Sequence, residues 1–423
     1  MEAWAEMKTS IMAAVVVSFI AFPVSALETY SVAELFSRLG FTTMIVEAEA
    51  ESAGMASKAD AVSGLPDMGF GYELMDAPDP EMLTHRLSIR QELPLWGKRW
   101  LLRRSAEVET SFARAMIAER RNFIQQELHS SLNDYRFAES SKKVRQGELE
   151  AMKSIMESTK ARYATGSAAI SELYLLEIEI AELEGMIRAM EAMSEVALNR
   201  ALDSVDLGFR DARLGPFLSR VTRLPSETDA DTLFFAAKQY SPILAAAGEE
   251  LRGTRLGIRL AEKALYPDLM LDLSYSYKPT AGLLGSFSLG FGLNLPVFSA
   301  GARKAEAAMA SKQVEAAAAR LAGTEDSLYR NIRMLLSETG SYARLIELYE
   351  KRIQPMRAAD LEALLSAYAV GEASLGMTLD SVRRNYSARI GYLENHLSLI
   401  QGLLELEYLT GETFVIFEDG SME

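Results

Sequence analysis

The chain has 423 residues, 49% hydrophobic and 24% charged, so it is not disordered by composition and is long enough for two or three ordinary domains. A net charge of -15 and a pI near 5.0 argue against a nucleic-acid partner, because a phosphate polyanion would be repelled. The absence of cysteine excludes disulfides, thiolate metal sites, a cysteine nucleophile and a lipid carried on an N-terminal cysteine.

Residues 1–26 have the pattern of a signal peptide: Lys8 precedes an apolar run from Ile11 to Phe22, and Val24-Ser25-Ala26 supplies small residues for cleavage. Met7 offers a second start. The mature chain then begins near Leu27 and is exported. No later segment has ~18 consecutive apolar residues, so membrane insertion has to use strands, which points to a bacterial outer membrane.

A first repeat is expected over 27–210. Val32 to Ser63 has helical composition with breaks expected at Gly40 and Gly54, and it stops at Gly64-Leu65-Pro66. A β-hairpin follows at 67–93. Met68, Phe70, Tyr72 and Leu74 share one face of its first strand, and Asp76 to Pro80 makes the turn. The returning strand, Leu83 to Leu93, sets Leu83, Leu87, Ile89 and Leu93 against Arg86, Ser88, Arg90 and Glu92, with His85 and Gln91 on the apolar side. Lys98 to Arg104 is the densest basic cluster, but it follows a strand and lies beside Trp96 and Trp100, which suits a membrane headgroup boundary better than a nucleic acid. From 98 to 163 there is no proline and only Gly147, so a single helix of roughly 65 residues, about 100 Å, is allowed. Gly166 breaks it and a Glu- and Leu-rich helix runs back over 168–202.

Residues 211–228, with Gly215, Pro216 and Pro225, read as an irregular connector. The second repeat, 229–409, opens with a helix entered through Ser241-Pro242 and leads to a second hairpin at 268–297. There Leu269, Leu271, Leu273, Tyr275 and Tyr277 alternate with Asp272, Ser274 and Ser276, and then Phe287, Leu289, Phe291, Leu293 and Leu295 alternate with Ser288, Gly290, Gly292 and Asn294. Each run is about ten residues, the length of a tilted transmembrane strand, with its apolar side made for lipid. A long helix is expected over 302–369 with weak points at Gly323, Gly340 and Pro355, a return helix over 373–409, and a tail over 410–423.

Three markers show that the halves are copies. Leu65-Pro66-Asp67-Met68 recurs as Tyr266-Pro267-Asp268-Leu269, Leu93-Pro94-Leu95-Trp96 as Leu295-Pro296-Val297-Phe298, and Tyr163-Ala164-Thr165-Gly166 as Tyr368-Ala369-Val370-Gly371. The offsets, 201 (Pro66 to Pro267), 202 (Pro94 to Pro296) and 205 (Gly166 to Gly371), stay nearly constant across half the chain. Four lipid-facing strands still have two open edges, and unpaired backbone groups cost several kcal/mol each in hydrocarbon. Single-chain barrels begin at about eight strands, so other copies of the chain have to complete the sheet; counting alone permits two, three or four.

In its Pro-Asp strand entries, its Leu-Pro-Leu-Trp-Gly and Leu-Pro-Val-Phe exits and its paired Tyr-Ala-x-Gly turns, the chain resembles the TolC-type outer-membrane factor family over nearly the whole mature length. The resemblance implies a mainly α fold with a membrane β-barrel portion: a homotrimer whose four strands per chain make one 12-stranded barrel, continued by a long α-helical barrel through the periplasm. The implied function is that of a passive outer-membrane channel in a tripartite efflux system, receiving cargo from an inner-membrane pump and a periplasmic adaptor. The adaptor would dock at the tip, near Thr165, Gly166, Ser167, Val370, Gly371 and Glu372. The gate would lie just beyond, where family members often carry acidic residues. Asp380 holds one such position, Met377 stands at the other, and Glu172 is the first-repeat counterpart; a solvated helix face is the competing reading for the two acids. The short entries and the Leu-Pro-Leu-Trp-Gly-Lys exit resemble the metal-efflux branch, making cations or small toxic compounds the leading cargo.

Nothing points to an enzyme or a cofactor. His85, His129 and His396 have no carboxylate or histidine at metal-ligand spacing, and the acids Glu172, Glu177, Glu179, Glu182 and Glu184 read as a solvated helix face. Methionine pairs such as Met152 with Met156 and Met186 with Met190 read as packing filler ahead of soft-metal ligands. The other functional readings are a type I protein secretion channel and a non-conducting periplasmic coiled-coil scaffold.

Overall fold

The computed structural model describes residues 28–62, 64–75, 83–208, 212–226, 229–278, 285–294 and 299–420. The expected signal peptide at 1–26, the turn at 76–80, the loop at 279–282 and the exit from Leu295 to Phe298 lie outside the described residues.

Strand β1 (Glu28–Tyr30) leads into helix α1 (Val32–Arg38), which a capping box opens: Ser31 Oγ accepts from Glu34 N at 3.2 Å, and the Glu34 carboxylate accepts from Ser31 N at 3.3 Å. A 3₁₀ turn, Leu39–Phe41, is the break expected near Gly40. Gly54 makes none. Helix α2 (Thr43–Val62) runs through it, since one glycine costs a helix only about 1 kcal/mol. The first hairpin is β2 (Gly69–Met75) with β3 (Thr84–Leu93), and after it comes α3 (Lys98–Ala164), 67 residues without interruption. Its return partner is α4 (Ile170–Asp203).

The stretch expected to be an irregular connector instead contributes two strands, β4 (Ala212–Leu214), parallel to β1, and β5 (Phe217–Val221). The second repeat adds α5 (Ala230–Tyr240), α6 (Pro242–Lys263), and the hairpin β6 (Asp268–Tyr277) with β7 (Ser286–Asn294). Its long helix is divided: α7 (Ala300–Leu348) passes into a π-turn at Tyr349–Ile353 and then α8 (Gln354–Ala369). Of the three weak points only Pro355 has an effect. Gly323 and Gly340 leave the hydrogen-bond ladder whole, whereas proline lacks an N–H and its ring presses on the carbonyl four residues back, opening the turn before it. Helix α9 (Leu375–Thr410) returns to mid-body and ends at Gly411, φ 72°.

The segment read as a tail is not one. Strand β8 (Val415–Asp419) pairs antiparallel with β5, Phe414 beside it is buried, and Glu407 accepts from Val415 N at 2.6 Å and also from Phe414 N. Asp419 in turn accepts from Val32 N at 2.9 Å, so the two ends of the described chain are bound together at mid-body.

Three apolar clusters hold the helices. One joins Val32 and Leu35 to Leu128 and Leu132 of α3, Leu202 of α4 and Phe217 of β5. A second joins Leu233, Ile332, Leu336, Leu403 and Phe414 across α5, α7, α9 and the segment before β8. The third lies toward the helix turns and contains Met152, Met156, Leu176, Tyr368 and Val382. Met152 and Met156 are therefore core residues surrounded by apolar side chains. Among the described residues no helix is long and apolar enough to cross a membrane, and none groups three metal-binding side chains.

Candidate functional site

The two hairpins lie side by side in one antiparallel sheet, order β2-β3-β6-β7. Their registers put the apolar side chains on a single face. Phe70 stands opposite Ile89, Ile89 opposite Leu273, and Leu273 opposite Leu289; one step along, Tyr72, Leu87, Tyr275 and Phe287 make a second such row. Leu271 pairs with Phe291 and Leu269 with Leu293 on the same side. The other face carries Glu73 with Arg86 at 3.7 Å, Arg90 with Asp272 at 3.4 Å, and the serines Ser88 and Ser274. Above its base each strand of this sheet packs chiefly on its sheet neighbours. The apolar face is therefore bare: Phe70 is 78% exposed, Phe287 77% and Phe291 70%. So are both edges, because among the described residues neither the outer side of β2 nor that of β7 has a partner strand. A contiguous exposed apolar face rimmed by polar residues marks a protein or membrane interaction surface.

Where the repeats meet, the sheet is clasped to its helices. Lys98, read from sequence as one of a cluster at a headgroup boundary, is instead buried: Nζ donates to Asp268 Oδ2 at 2.6 Å and to Tyr266 O at 2.9 Å, while Leu95 N donates to Asp268 Oδ1 at 3.1 Å. Trp96 takes φ 61°, a left-handed conformation that costs an L residue roughly 1–2 kcal/mol. Its Nε1–H donates to Pro267 O at 2.8 Å and its ring lies 5.3 Å from that of Tyr266, contacts that offset the strain. The sequence held both halves of this clasp, in the Pro-Asp entry and the Trp-Gly-Lys exit, but not their meeting. Trp96 and Trp100 remain more than half exposed at the base of the sheet.

At the opposite end the two Tyr-Ala-x-Gly turns sit together. Gly166 (φ 76°) and Gly371 (φ 84°) both terminate their helices in the left-handed region, and Ser167 N and Glu372 N reach back to Arg162 O and Ala367 O at 2.8 and 2.9 Å. Tyr368 is buried against α3, its hydroxyl 2.6 Å from Thr159 Oγ1 and its ring 4.7 Å from the Arg162 guanidinium. Tyr163, its counterpart, is 45% exposed. Thr165, Gly166, Ser167, Val370, Gly371 and Glu372 are all exposed on these turns, with Val370 at 71% the largest apolar side chain among them.

The three gate candidates fall in the first turns of the return helices. Glu172 is half-buried in α4, and Met377 is exposed in α9. Asp380 is held 2.7 Å from Arg384 one turn along its own helix, an exposed pair in which the acid's charge is already balanced. Arg383 reaches Glu179 of α4, with Nε 3.0 Å from Oε2 and a second, shorter contact. That bond ties the two return helices across α3. Sequence spacing gave no sign of it.

At mid-body His129 is sandwiched between Phe36 and Phe417, ring centroids 4.9 and 5.0 Å away. Burial pushes its pKa down to about 4, and burial also raises that of Glu407. Their 3.8 Å approach is thus a contact between a neutral imidazole and a carboxylate occupied by backbone N–H groups, not an ion pair at neutral pH.

A four-stranded sheet with one apolar and one polar face and both edges open among the described residues, standing on a long helical hairpin bundle, has the fold of outer-membrane channel chains. Residues 234–412 match the model of the outer membrane efflux protein family, and the chain as a whole has the fold of TolC-type outer-membrane factors. Among solved structures it is similar to the outer-membrane channel OprN (16% identity, 90% of each chain, TM-score 0.77). It is also similar to the outer membrane protein VceC of Vibrio cholerae (16%, 90% of this chain and 96% of that one, 0.76) and to CusC (13%, 93% and 96%, 0.77). No curated protein matches the sequence.

Proposed function

We propose that this chain is one protomer of a passive outer-membrane efflux conduit. Three copies close a 12-stranded barrel, and their helices continue it into the periplasm, where an adaptor joins it to an inner-membrane pump that supplies the energy. The observation that carries this reading is the bare apolar face with two open edges. Its apolar rows need hydrocarbon, its edges need strands that the described residues do not supply, and its polar face lines water once the ring is closed.

Within that conduit Leu271, Leu273, Tyr275, Phe287, Leu289, Phe291 and Leu293 face lipid, and Trp96 and Trp100 mark the periplasmic headgroup level. The exposed glycine turns, with Thr165, Ser167, Val370 and Glu372 around them, are the adaptor's landing surface; a residue without a side chain lets a partner backbone come close. Glu172, Met377 and Asp380 line the narrowing behind it. Because Arg384 neutralises Asp380, the ring they form is only weakly cation-attracting, which suits small cargo of mixed charge, cations included.

Reconstitution tests the reading. Detergent-extracted protein added to a planar bilayer should give long-lived steps of ion conductance and should run as a trimer. A water-soluble monomer that leaves the bilayer silent would instead make it a periplasmic scaffold.

A further inference from the structure

The two joints of the ring are related by the internal repeat, and one of them is visible. Within the chain β3 of the first repeat pairs with β6 of the second. Between copies, β7 of the second repeat has to meet β2 of the first. Residues of β2 correspond to those of β6 at an offset of 201 (Pro66 to Pro267), and residues of β3 to those of β7 at 202 (Pro94 to Pro296). The hairpins confirm these offsets independently: Gly69 pairs with Arg90, and the shifted positions, Met270 and Gly292, pair with each other.

Resting on the channel reading above, we infer that the open edges of neighbouring copies mate in the register dictated by the β3–β6 joint. Its observed pairs, Gln91 with Leu271, Ile89 with Leu273 and Leu87 with Tyr275, become Leu293 with Phe70, Phe291 with Tyr72 and Leu289 with Leu74 of the next copy. Nothing in the shift required the side chains to agree, yet every one of these pairs is apolar and lies on the lipid face. The alternate pairs, Gly292 with Gly71 and Gly290 with Glu73, fall on the polar face. A slip by one residue would turn each apolar side chain of one strand against a polar-face residue of the other.

The tip obeys the same operation. Tyr368 of the second repeat is buried on Thr159 and Arg162 of the first. Shifted by 205, Thr159 becomes Leu364 and Arg162 becomes Ala367, both only partly buried in the tip cluster. The exposed Tyr163 is the side chain that the next copy would lay there.

The seam differs from the internal joint in one respect. The clasp's Lys98 corresponds at offset 202 to Ala300, both being first residues of their helices, and Trp96 corresponds to Phe298, whose side chain has no N–H to donate. Asp67, the counterpart of Asp268, is exposed with no ion pair among the described residues. The seam between copies is thus closed by strand pairing and apolar contact, without the buried polar clasp that fixes the repeats to each other.

Because the natural chain has no cysteine, paired substitutions can read the register directly. Two in-register pairs are made in the full-length protein, Phe291→Cys with Tyr72→Cys and Leu289→Cys with Leu74→Cys. Two pairs slipped by two residues serve for comparison, Phe291→Cys with Phe70→Cys and Phe291→Cys with Leu74→Cys. After mild oxidation of detergent-extracted protein, the in-register pairs should link copies into a ladder ending in a closed product. They should do so at least about tenfold faster than the slipped pairs, whose separations pass the roughly 7 Å a disulfide can bridge. Faster linking by a slipped pair, or no linking between copies by either in-register pair in protein that still conducts, overturns the register and leaves the channel standing. A monomer that neither links nor conducts takes down both.

Discussion

The two repeats span the same distance, from hairpin to tip, with helices built differently. In the first, α3 covers it in 67 unbroken residues; in the second, Ala300 to Ala369 uses 70 and is interrupted by the π-turn ahead of Pro355. Both ends are fixed, at Lys98 and Ala300 below the sheet and at the paired glycine turns, so the second repeat has to absorb its surplus in between. A π-turn winds more residues into each turn than an α-helix, and it is found where the proline has already spoiled the ladder. Near-equal length is thus imposed by the tertiary frame, while the place where the helix yields is chosen by one residue.

The same asymmetry recurs in side chains, and the sharpest way to break it is at the clasp. Lys98→Met strands Asp268, 19% exposed, without its cation, and should lower stability by about 3 kcal/mol in chemical denaturation, whereas Ala300→Ser at the corresponding position should change it by less than about 0.5. The next effect belongs to His129. Its pKa is about 4 in the folded protein and near 6.5 unfolded, so the unfolded chain binds the proton more readily. The stabilising contribution is complete above pH 6.5 and falls as pH drops through the window from 6.5 to 4, by roughly 2 kcal/mol at pH 5. Glu407, shifted upward, opposes part of this loss. Denaturation midpoints at pH 7.5 and 5.0 should separate in the natural protein and draw closer in His129→Gln, with His396, whose pKa burial also lowers, keeping part of the separation.

At the tip the repeats should differ by a smaller amount. Tyr368→Phe removes the hydroxyl that meets Thr159 in a buried site and should cost about 1 kcal/mol, while Tyr163→Phe should cost nothing measurable; equal losses would contradict the asymmetry. A small stability change is expected for Asp380→Asn, since its pair with Arg384 is half exposed and worth at most about 0.5 kcal/mol. Its readout is selectivity. Leu175 holds the corresponding first-repeat position, so the second repeat alone supplies this charge, and its removal should shift the reversal potential of the reconstituted channel toward anions.

Much of the scaffold was legible because it rests on local periodicity. A two-residue alternation of Leu, Phe and Tyr with Ser, Gly and Asp can be satisfied only by a strand with unlike faces, and a proline-free run ending at a Tyr-Ala-x-Gly turn only by a long helix that stops there. What escaped were features whose partners are distant in sequence. Strands β5 and β8 are five residues each and lie nearly two hundred apart; Phe414, Val415 and Phe417 carried a β-like signal that Gly411 made look like the start of a tail. Lys98 looked like a surface cation because its carboxylate, Asp268, is 170 residues away. The candidate gate was named by position alone, and the charge balance that weakens it, Arg384 on Asp380, needed side-chain geometry.

The sequence alone determined that the chain is a duplicated hairpin-and-helix unit with one face meant for lipid, because the period of a pattern fixes which side chains share a face whatever surrounds them. Only the tertiary structure decided how the two copies join, where the second helix gives way and which tyrosine is buried, because those depend on which distant groups come within bonding reach, and no local pattern encodes that.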